Sequence, residues 1–335
     1  MCIRDSSIAT VGAIEGVNNV SLACISKLLS ASEKYAGEAT AVWHGSHMTN
    51  YLFGRNQYGA NVIGSTTEAL GGAGGACHDA DGIDFGGEIA NPISRIANVE
   101  TNEARYPIRY LFRRRMIDSG GPGRFRGGTG GEYAFVLHDA PSGELGVVLS
   151  GKGIAYPMGQ GINGGYPGAP GQVMLVEAGG ASVDGATPQR LDDIPGRGRP
   201  ISWGVHTIPR NGAFYIRWNG AGGYGDPLER RVELVREDVA DGTVSITAAR
   251  EIYGVAFDDQ GGTIEAGTLH RRAELRKRRK AGEAALKYSV YGAGAAGVML
   301  YGISLVAGLA AFCVYVASYL VAYAVPSLMW TAAMF

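Results

Sequence analysis

The chain has 335 residues with 30 basic and 31 acidic side chains, a balance that excludes a general nucleic-acid or polyanion binder, which carries an excess of Lys and Arg. Its 53 glycines, roughly twice the usual ~7% share, follow no strict Gly-X-Y period, so collagen is excluded; the 46% hydrophobic content excludes disorder for most of the chain. Cys2, Cys24, Cys77 and Cys313 stand far apart with no C-x-x-C pair, which excludes zinc-ribbon and thioredoxin spacings and reads as reduced, mostly buried thiols of a cytoplasmic protein.

In chain order, the opening Met-Cys-Ile-Arg-Asp-Ser has no apolar stretch behind it and is therefore no secretory signal. Residues 1–15 read as a non-native leader of foreign origin, and residues 16–284 as the body of the protein. The first helix is expected over Asn18–Tyr35, where Val20, Leu22, Ala23, Ile25, Leu28 and Leu29 recur at helical spacing and Gly37 follows as a stop. From Glu38 to Gly267 the pattern is β-rich. Glu132–His138 and Gly146–Ser150 read as strands bracketing a turn at Asp139–Gly143, which predicts a hairpin; Gln172–Val176 and Ala213–Trp218 read as further strands. Residues 185–200, with three prolines and several charges, read as a surface loop.

Asp226, Pro227 and Glu229 carry the pattern of an N-cap, a first-turn proline and a capping-box partner, predicting a helix to about Asp238. A second short helix is expected over Thr247–Tyr253, with Gly254 as its left-handed stop. The basic run His270–Lys280 then precedes residues 285–335, which hold no charge after Lys287. This tail is apolar enough for one or two membrane passes, with the basic run as a cytoplasmic flank; the other reading is sequence joined on by artefact. The fold class is α+β: predominantly strands with glycine-rich turns, an N-terminal helix, closing helices and this apolar tail.

Asp118-Ser-Gly-Gly-Pro122 invites comparison with a serine-protease nucleophile loop, but Ile117 replaces the glycine before the Asp and no Ala-His-Cys segment precedes it. A glycine-bracketed turn is the better account. The stretch Gly120–Gly131 is neither a Walker loop nor a complete G-x-G-x-x-G. Its glycines and arginines nevertheless suit either a turn with solvated charges or an anion contact, with Arg113, Arg114, Arg115, Arg124 and Arg126 making it the most basic part of the middle region. Asp118, Arg124, Arg126 and Lys152 are the candidate anion- or substrate-binding groups. His44 and His47 in His-Gly-Ser-His, and His78 followed by Asp79, Asp81 and Asp84, are fragments of metal-ligand spacing; ordinary polar loops explain them better, and no metal ligand is assigned. At 220–227 a glycine loop leads into the capped helix, and Asp226 takes up the free N–H groups that an anion would need.

Four ordered segments are more specific together than any one of them: Ala97–Pro107 (ANVETNEARYP), Asp118–Gly128 (DSGGPGRFRGG), Gly164–Gly171 (GGYPGAPG) and Gly222–Arg230 (GGYGDPLER). With Asp238–Val255 (DVADGTVSITAAREIYGV) behind them, the chain from about Gly16 to Arg279 resembles the hydantoinase B/oxoprolinase family, which includes N-methylhydantoinase B, the matching half of 5-oxoprolinase and subunits of acetone and acetophenone carboxylases. The resemblance implies a cytoplasmic enzyme subunit working with a hydantoinase A-type partner. In the family that partner binds ATP with Mg and phosphorylates a substrate carbonyl or carboxyl group, leading to ring-amide hydrolysis or to ketone carboxylation. It also implies a divalent metal in an N-terminal half carrying Thr-His-Leu-Pro-Asp-like and His-His-Ala-Asp-like stretches. Neither stretch occurs here, so no residue of this chain inherits a metal role, and the chain reads as a C-terminal portion, inactive alone. The competing expectation is a non-catalytic, β-rich interaction protein tethered to a membrane by residues 288–335.

Overall fold

The computed structural model describes residues 5–43, 49–66, 71–89, 91–92, 96–150, 153–178, 188–258 and 260–282. The chain divides into two compact units, Met1–Arg272 and Ala273–Phe335. Of the second, residues 273–282 are described and are helical, the end of a helix over 265–282 (α5). The apolar tail and its membrane reading lie outside the described residues, and among those described no helix is long and apolar enough to cross a membrane.

The first unit is built on two antiparallel sheets. One has the order β10-β7-β1-β2, from Gly204–Pro209, Glu144–Ser150, Thr49–Arg55 and Asn61–Ser65. The other has the order β5-β6-β11-β8-β9, from Ile108–Arg115, Gly131–Leu137, Ala213–Arg217, Gln172–Ala178 and Gly196–Pro200. Gly87–Glu88 (β3) and Asn91–Pro92 (β4) form a small ribbon of their own.

Period-2 alternation explains how the sheets meet. In β7 the buried positions are Leu145, Val147 and Leu149, and they join Leu52 and Ile208 of the same sheet in one apolar cluster. Tyr133, Phe135, Val173, Leu175, Phe214 and Ile216 enter that cluster from the second sheet. Phe135 stacks on Phe214 at 5.1 Å between ring centroids, a geometry that adds to simple burial. The opposite face of the second sheet buries Phe112, Ala134, Val136, Val176 and Tyr215 under Leu191 and Ile194. Every position of β6 is therefore buried, as befits a strand covered on both faces.

The expected hairpin at 139–143 is not formed. The strands on either side exist, but β6 pairs with β5 and β11 whereas β7 pairs with β1 and β10. Asp139 and Gly143, at φ 51° and 72°, carry the chain from one sheet to the other. Two strands that must line opposite walls of one core cannot also pair with each other. Residues 185–200 likewise hold more than a loop: β9 occupies their end, paired with β8.

The N-terminal helix α1 runs over Asp5–Ser30, starting earlier and ending sooner than its apolar spacing predicts. Val17, Val20, Ile25 and Leu28 face solvent, while Glu15, Asn19 and Ser26 are buried. The apolar repeat is split: Leu22, Ala23 and Leu29 are half-buried, with Leu29 against a small core, and the others lie on the outer face. Cys24, expected to be buried, is exposed with them, and Cys77 is half-buried.

At the other end, Asp226 caps as expected, its Oδ1 accepting from the Leu228 N–H at 2.8 Å, but what it caps is a single 3-10 turn over Pro227–Glu229. Arg230 and Arg231 are extended, and the helix proper, α3, begins at Val232 and ends at Ala240. The break has a physical cause: Arg230 turns inward, 1% exposed, to meet carboxylates. Helix α4 (Ile246–Glu251) follows, with Ser245 as its cap and Gly254 left-handed at φ 67°. Val235, Val244, Ala249, Tyr253 and Val255 close a separate small core there. Between Ile96 and β5 lies one further short helix, α2 (Val99–Arg105).

Candidate functional site

Beside the sheets, four glycine-rich extended segments, 71–87, 119–131, 159–169 and 218–226, lie against one another and against residues 39–43, which hold no glycine. Their backbones exchange hydrogen bonds directly. Ala76 N–H donates to Gly222 O, Gly222 N–H to Val42 O, and Val42 N–H to Gln160 O; Ala221 N–H donates to Gly128 O and Gly128 N–H to Gly74 O. Such spacing leaves no room for side chains: a Cβ on Gly220 would overlap the Ser119 carbonyl, and one on Gly75 the Ala41 carbonyl. The sequence clusters that look like turns are this slab of packed backbone.

One edge of the slab is locked by charge. Asp81 and Asp84 come from the 77–86 segment, Arg115 from β5, Arg126 from the glycine loop, and Arg230 and Asp238 from the start and body of the α3 region. Arg230 pairs with Asp81 through two bonds, Nη1–Oδ1 at 2.6 Å and Nη2–Oδ2 at 2.7 Å, and reaches Asp238 Oδ2 at 2.8 Å. Arg126 bridges Asp84 (3.1 Å) and Asp238 (3.4 Å), and Arg115 adds a second contact to Asp84 at 3.1 Å. The carboxylates also bind backbone: Arg126 N–H donates to Asp81 at 2.7 Å and Thr129 N–H to Asp84 at 2.8 Å.

Burial and pairing pull the titrations apart. Burial pushes the Asp84 carboxyl up, but the Arg126 charge and the bonds from Thr129 and Arg126 outweigh it and hold the carboxyl below its ordinary value. For Asp238 burial wins over Arg230 and Arg126, and its carboxyl sits above the ordinary value. Burial likewise raises the phenol of Tyr253, which stays neutral beside this cluster.

The cluster does not suit a divalent metal. Arg115, Arg126 and Arg230 match Asp81, Asp84 and Asp238 charge for charge, and among the described residues no group of His, Cys, Asp and Glu could hold one. His78 meets Asp79 at 3.4 Å and packs over Gly37. His44 and His47 lie outside the described residues.

The candidate residues separate. Asp118, at φ 58°, donates its N–H to Thr243 O and accepts from Ser245 N–H at 2.7 Å, stitching the loop to the α3–α4 turn. Arg126 is buried within the charge cluster. Arg124 is half-buried, donates Nη2 to His78 O at 3.1 Å and lies over the Phe125 ring at 5.2 Å, while its buried Nε has no partner among the described residues. Lys152 lies outside the described residues. The loop's backbone donors do not converge on an open anion site: Gly121, Arg124, Phe125, Gly127 and Gly128 donate to protein carbonyls, and Gly130 to Ser119 Oγ.

Sequence reasoning missed Arg230 and Asp238 as site residues. A signal was present in Gly222–Arg230, where an arginine directly follows a capped turn, but its partner Asp81 lies 149 residues away. A second buried ion site was also missed, in the second sheet. Arg114 binds Glu132 Oε1 through Nε and Nη2, both at 2.7 Å, and Tyr215 Oη donates to Oε2 at 2.6 Å.

A family model described as hydantoinase B/oxoprolinase matches residues 7–227. The chain is 28% identical over 270 residues to the acetone carboxylase alpha subunit of Xanthobacter autotrophicus, covering 70% of this chain and 33% of that protein. It is 32% identical to the caprolactamase subunit beta of Pseudomonas jessenii, covering 52% and 28%. To the acetophenone carboxylase delta subunit of Aromatoleum aromaticum it is 26% identical, covering 83% and 42%. It thus spans less than half the length of each. Among solved structures, a nucleotide-free acetone carboxylase superposes with TM-score 0.63 at 27% identity, covering 73% of this chain and 34% of that one. The ATP-dependent caprolactamase of P. jessenii superposes with TM-score 0.58 at 28% identity, covering 72% and 40%.

Proposed function

This chain belongs to the hydantoinase B/oxoprolinase family, and from that premise we propose that it is the C-terminal part of a hydantoinase B-type subunit of a cytoplasmic, ATP-dependent enzyme that hydrolyses cyclic amides of the hydantoin or 5-oxoproline type, or carboxylates ketones. The observation that carries the reading is the agreement of sequence and fold: the family match covers the glycine slab and both sheets, and the two superposing enzymes are described as ATP-dependent. The relatives' names as alpha, beta and delta subunits support a hetero-oligomer, with a hydantoinase A-type partner binding ATP and Mg.

Phosphorylation of a carbonyl oxygen by that partner turns a poor leaving group into a good one. In our reading the part of the subunit seen here supplies a rigid platform, and a divalent metal is held elsewhere in the assembly. Arg126 and Asp118 are positioning residues, holding the glycine loop against the charge cluster and the α3–α4 turn. Arg124, whose Nε has no partner among the described residues, and Lys152 are assigned to an anionic substrate or phosphorylated intermediate.

The test is co-expression of the chain, in its complete reading frame, with a hydantoinase A-type subunit. The two should copurify, and Arg124→Ala should lower kcat/KM for the amide or ketone without shifting the melting temperature. Unchanged turnover in Arg124→Ala refutes the assignment of Arg124; failure to copurify refutes the subunit reading.

A further inference from the structure

The end of α5 carries the densest positive charge in the chain. Seven of the 30 basic side chains fall within 271–280, against a single carboxylate, Glu274. The first two bind backbone carbonyls: Arg271 donates Nε to Arg250 O at 2.6 Å, and Arg272 donates to Tyr253 O at 3.0 Å and to Arg230 O at 2.7 Å. The other five, Arg276-Lys277-Arg278-Arg279-Lys280, are consecutive, and all but the half-buried Arg279 are exposed. Arg278 reaches Glu274 at 2.6 Å, one turn back, with the two side chains 71% and 48% exposed.

Helix stability does not account for these five cations. A cation favours a helix C-terminus only within the last turn, and Arg276, Lys277 and Arg278 stand before it. Like charges four residues apart, as at Arg276 and Lys280, weaken a helix. Nor does their arrangement suit a single docking groove. Successive helix positions turn by about 100°, so five in a row place positive charge around the whole circumference rather than along one stripe. A diffuse anionic surface responds to summed charge of that kind, at about fivefold in binding for each Lys or Arg near it. No Phe, Tyr or Trp stands within 265–282 for bases to stack on, which disfavours single-stranded nucleic acid. The sequence that follows favours lipid: after Glu283 and Lys287, residues 288–335 hold no charged side chain.

We propose that residues 276–280 dock the chain on an anionic phospholipid surface, of the kind the cytoplasmic leaflet presents. The contact is peripheral and reversed by salt, since a Debye length of about 10 Å at 0.1 M shrinks to about 3 Å at 1 M. It is independent of the enzymatic reading, because the family match ends at residue 227, before α5 begins.

The test is co-sedimentation of the full chain with vesicles of phosphatidylcholine alone and of phosphatidylcholine with phosphatidylserine at three to one. Binding should require phosphatidylserine and fall about tenfold or more when salt is raised from about 0.1 M to about 1 M. Lys277→Gln combined with Lys280→Gln should weaken it about 25-fold, without shifting the melting temperature, because both side chains are exposed. Lys277→Arg combined with Lys280→Arg should retain it. Equal binding to both kinds of vesicle would assign the attachment to apolar sequence instead of the cations and overturn the proposal. So would binding to neither kind, phosphatidylserine binding untouched by the glutamine pair, or tighter binding to an RNA oligonucleotide than to the anionic vesicles.

Discussion

Arg230 and Asp81 form a two-bond pair, 2.6 and 2.7 Å, between positions 149 residues apart, with the arginine almost fully buried. The pair ties the 77–86 segment of the glycine slab to the start of α3, and Arg272 extends the tie by donating to Arg230 O and Tyr253 O. Removing the arginine leaves the buried Asp238 and the half-buried Asp81 without their main counter-charge. Arg230→Met is expected to destabilise the protein by about 3–5 kcal/mol. Arg230→Lys should recover only part of that loss, since one ammonium cannot reproduce a planar fork shared between Asp81 and Asp238. Urea unfolding followed by circular dichroism measures both; a loss under about 1 kcal/mol in Arg230→Met, the range of an exposed pair, would contradict the pair's structural role.

Asp84 and Asp238 should respond to acid in opposite directions. The Asp84 carboxyl is held below its ordinary value, so its contribution is present above the ordinary carboxylate range and is lost as pH falls through the folded value. The Asp238 carboxyl is raised by burial, so the folded state takes up its proton more readily and gains relative stability as pH falls. The stability gap between wild type and Asp84→Asn should therefore narrow from pH 7 to pH 3, while the gap for Asp238→Asn moves in favour of wild type. Unfolding midpoints measured across that range decide it, and parallel pH profiles for the two variants would show that the opposed shifts are wrong.

Much of this was legible in the chain itself, in a particular way. The apolar patterns in 132–138, 146–150, 172–176 and 213–218 mark strands that are there, because burial on one face writes a period of two into local sequence and burial on both faces writes a short apolar run. Which strands pair was not legible: β6 and β7 are sequence neighbours that line opposite sides of one core, and the hairpin reading fails on that account. Arg126 looked like a free cation because Asp84 and Asp238 lie 42 and 112 residues away. The helix α1 misled for the opposite reason, with Val20, Ile25 and Leu28 of its apolar repeat on the solvent side and Glu15, Asn19 and Ser26 inside.

The glycine slab makes its own prediction. Gly220→Ala places a methyl group on the Ser119 carbonyl, where only backbone could yield, and should destabilise by at least the ~1–3 kcal/mol of overpacking. Gly282→Ala in α5, with open space around it, should be neutral or gain up to about 1 kcal/mol from helix propensity. Thermal melts of the two variants compare them directly, and equal melting temperatures would mean that the close backbone contacts at Gly220 are not there.

Tyr215 supplies a control inside the second sheet. Its hydroxyl is the donor to Glu132 Oε2, and burial with this bond raises its phenol well above the usual tyrosine value. Tyr215→Phe should cost about 1.5–3 kcal/mol, the range for a hydrogen bond to a charged group, with no change in ATP turnover of the assembled enzyme. A large fall in turnover at unchanged stability would give this buried cluster a role that the geometry does not assign to it.

The subunit reading is tested most directly by ADP release from the complete subunit co-expressed with a hydantoinase A-type subunit. ε-Caprolactam, hydantoin, 5-oxoproline, acetone and acetophenone would be offered in turn. The account predicts ADP release that depends on one of these compounds and disappears when the subunit carrying this chain is omitted. ATP hydrolysis that is indifferent to all of them, or that continues unchanged without this subunit, would contradict it.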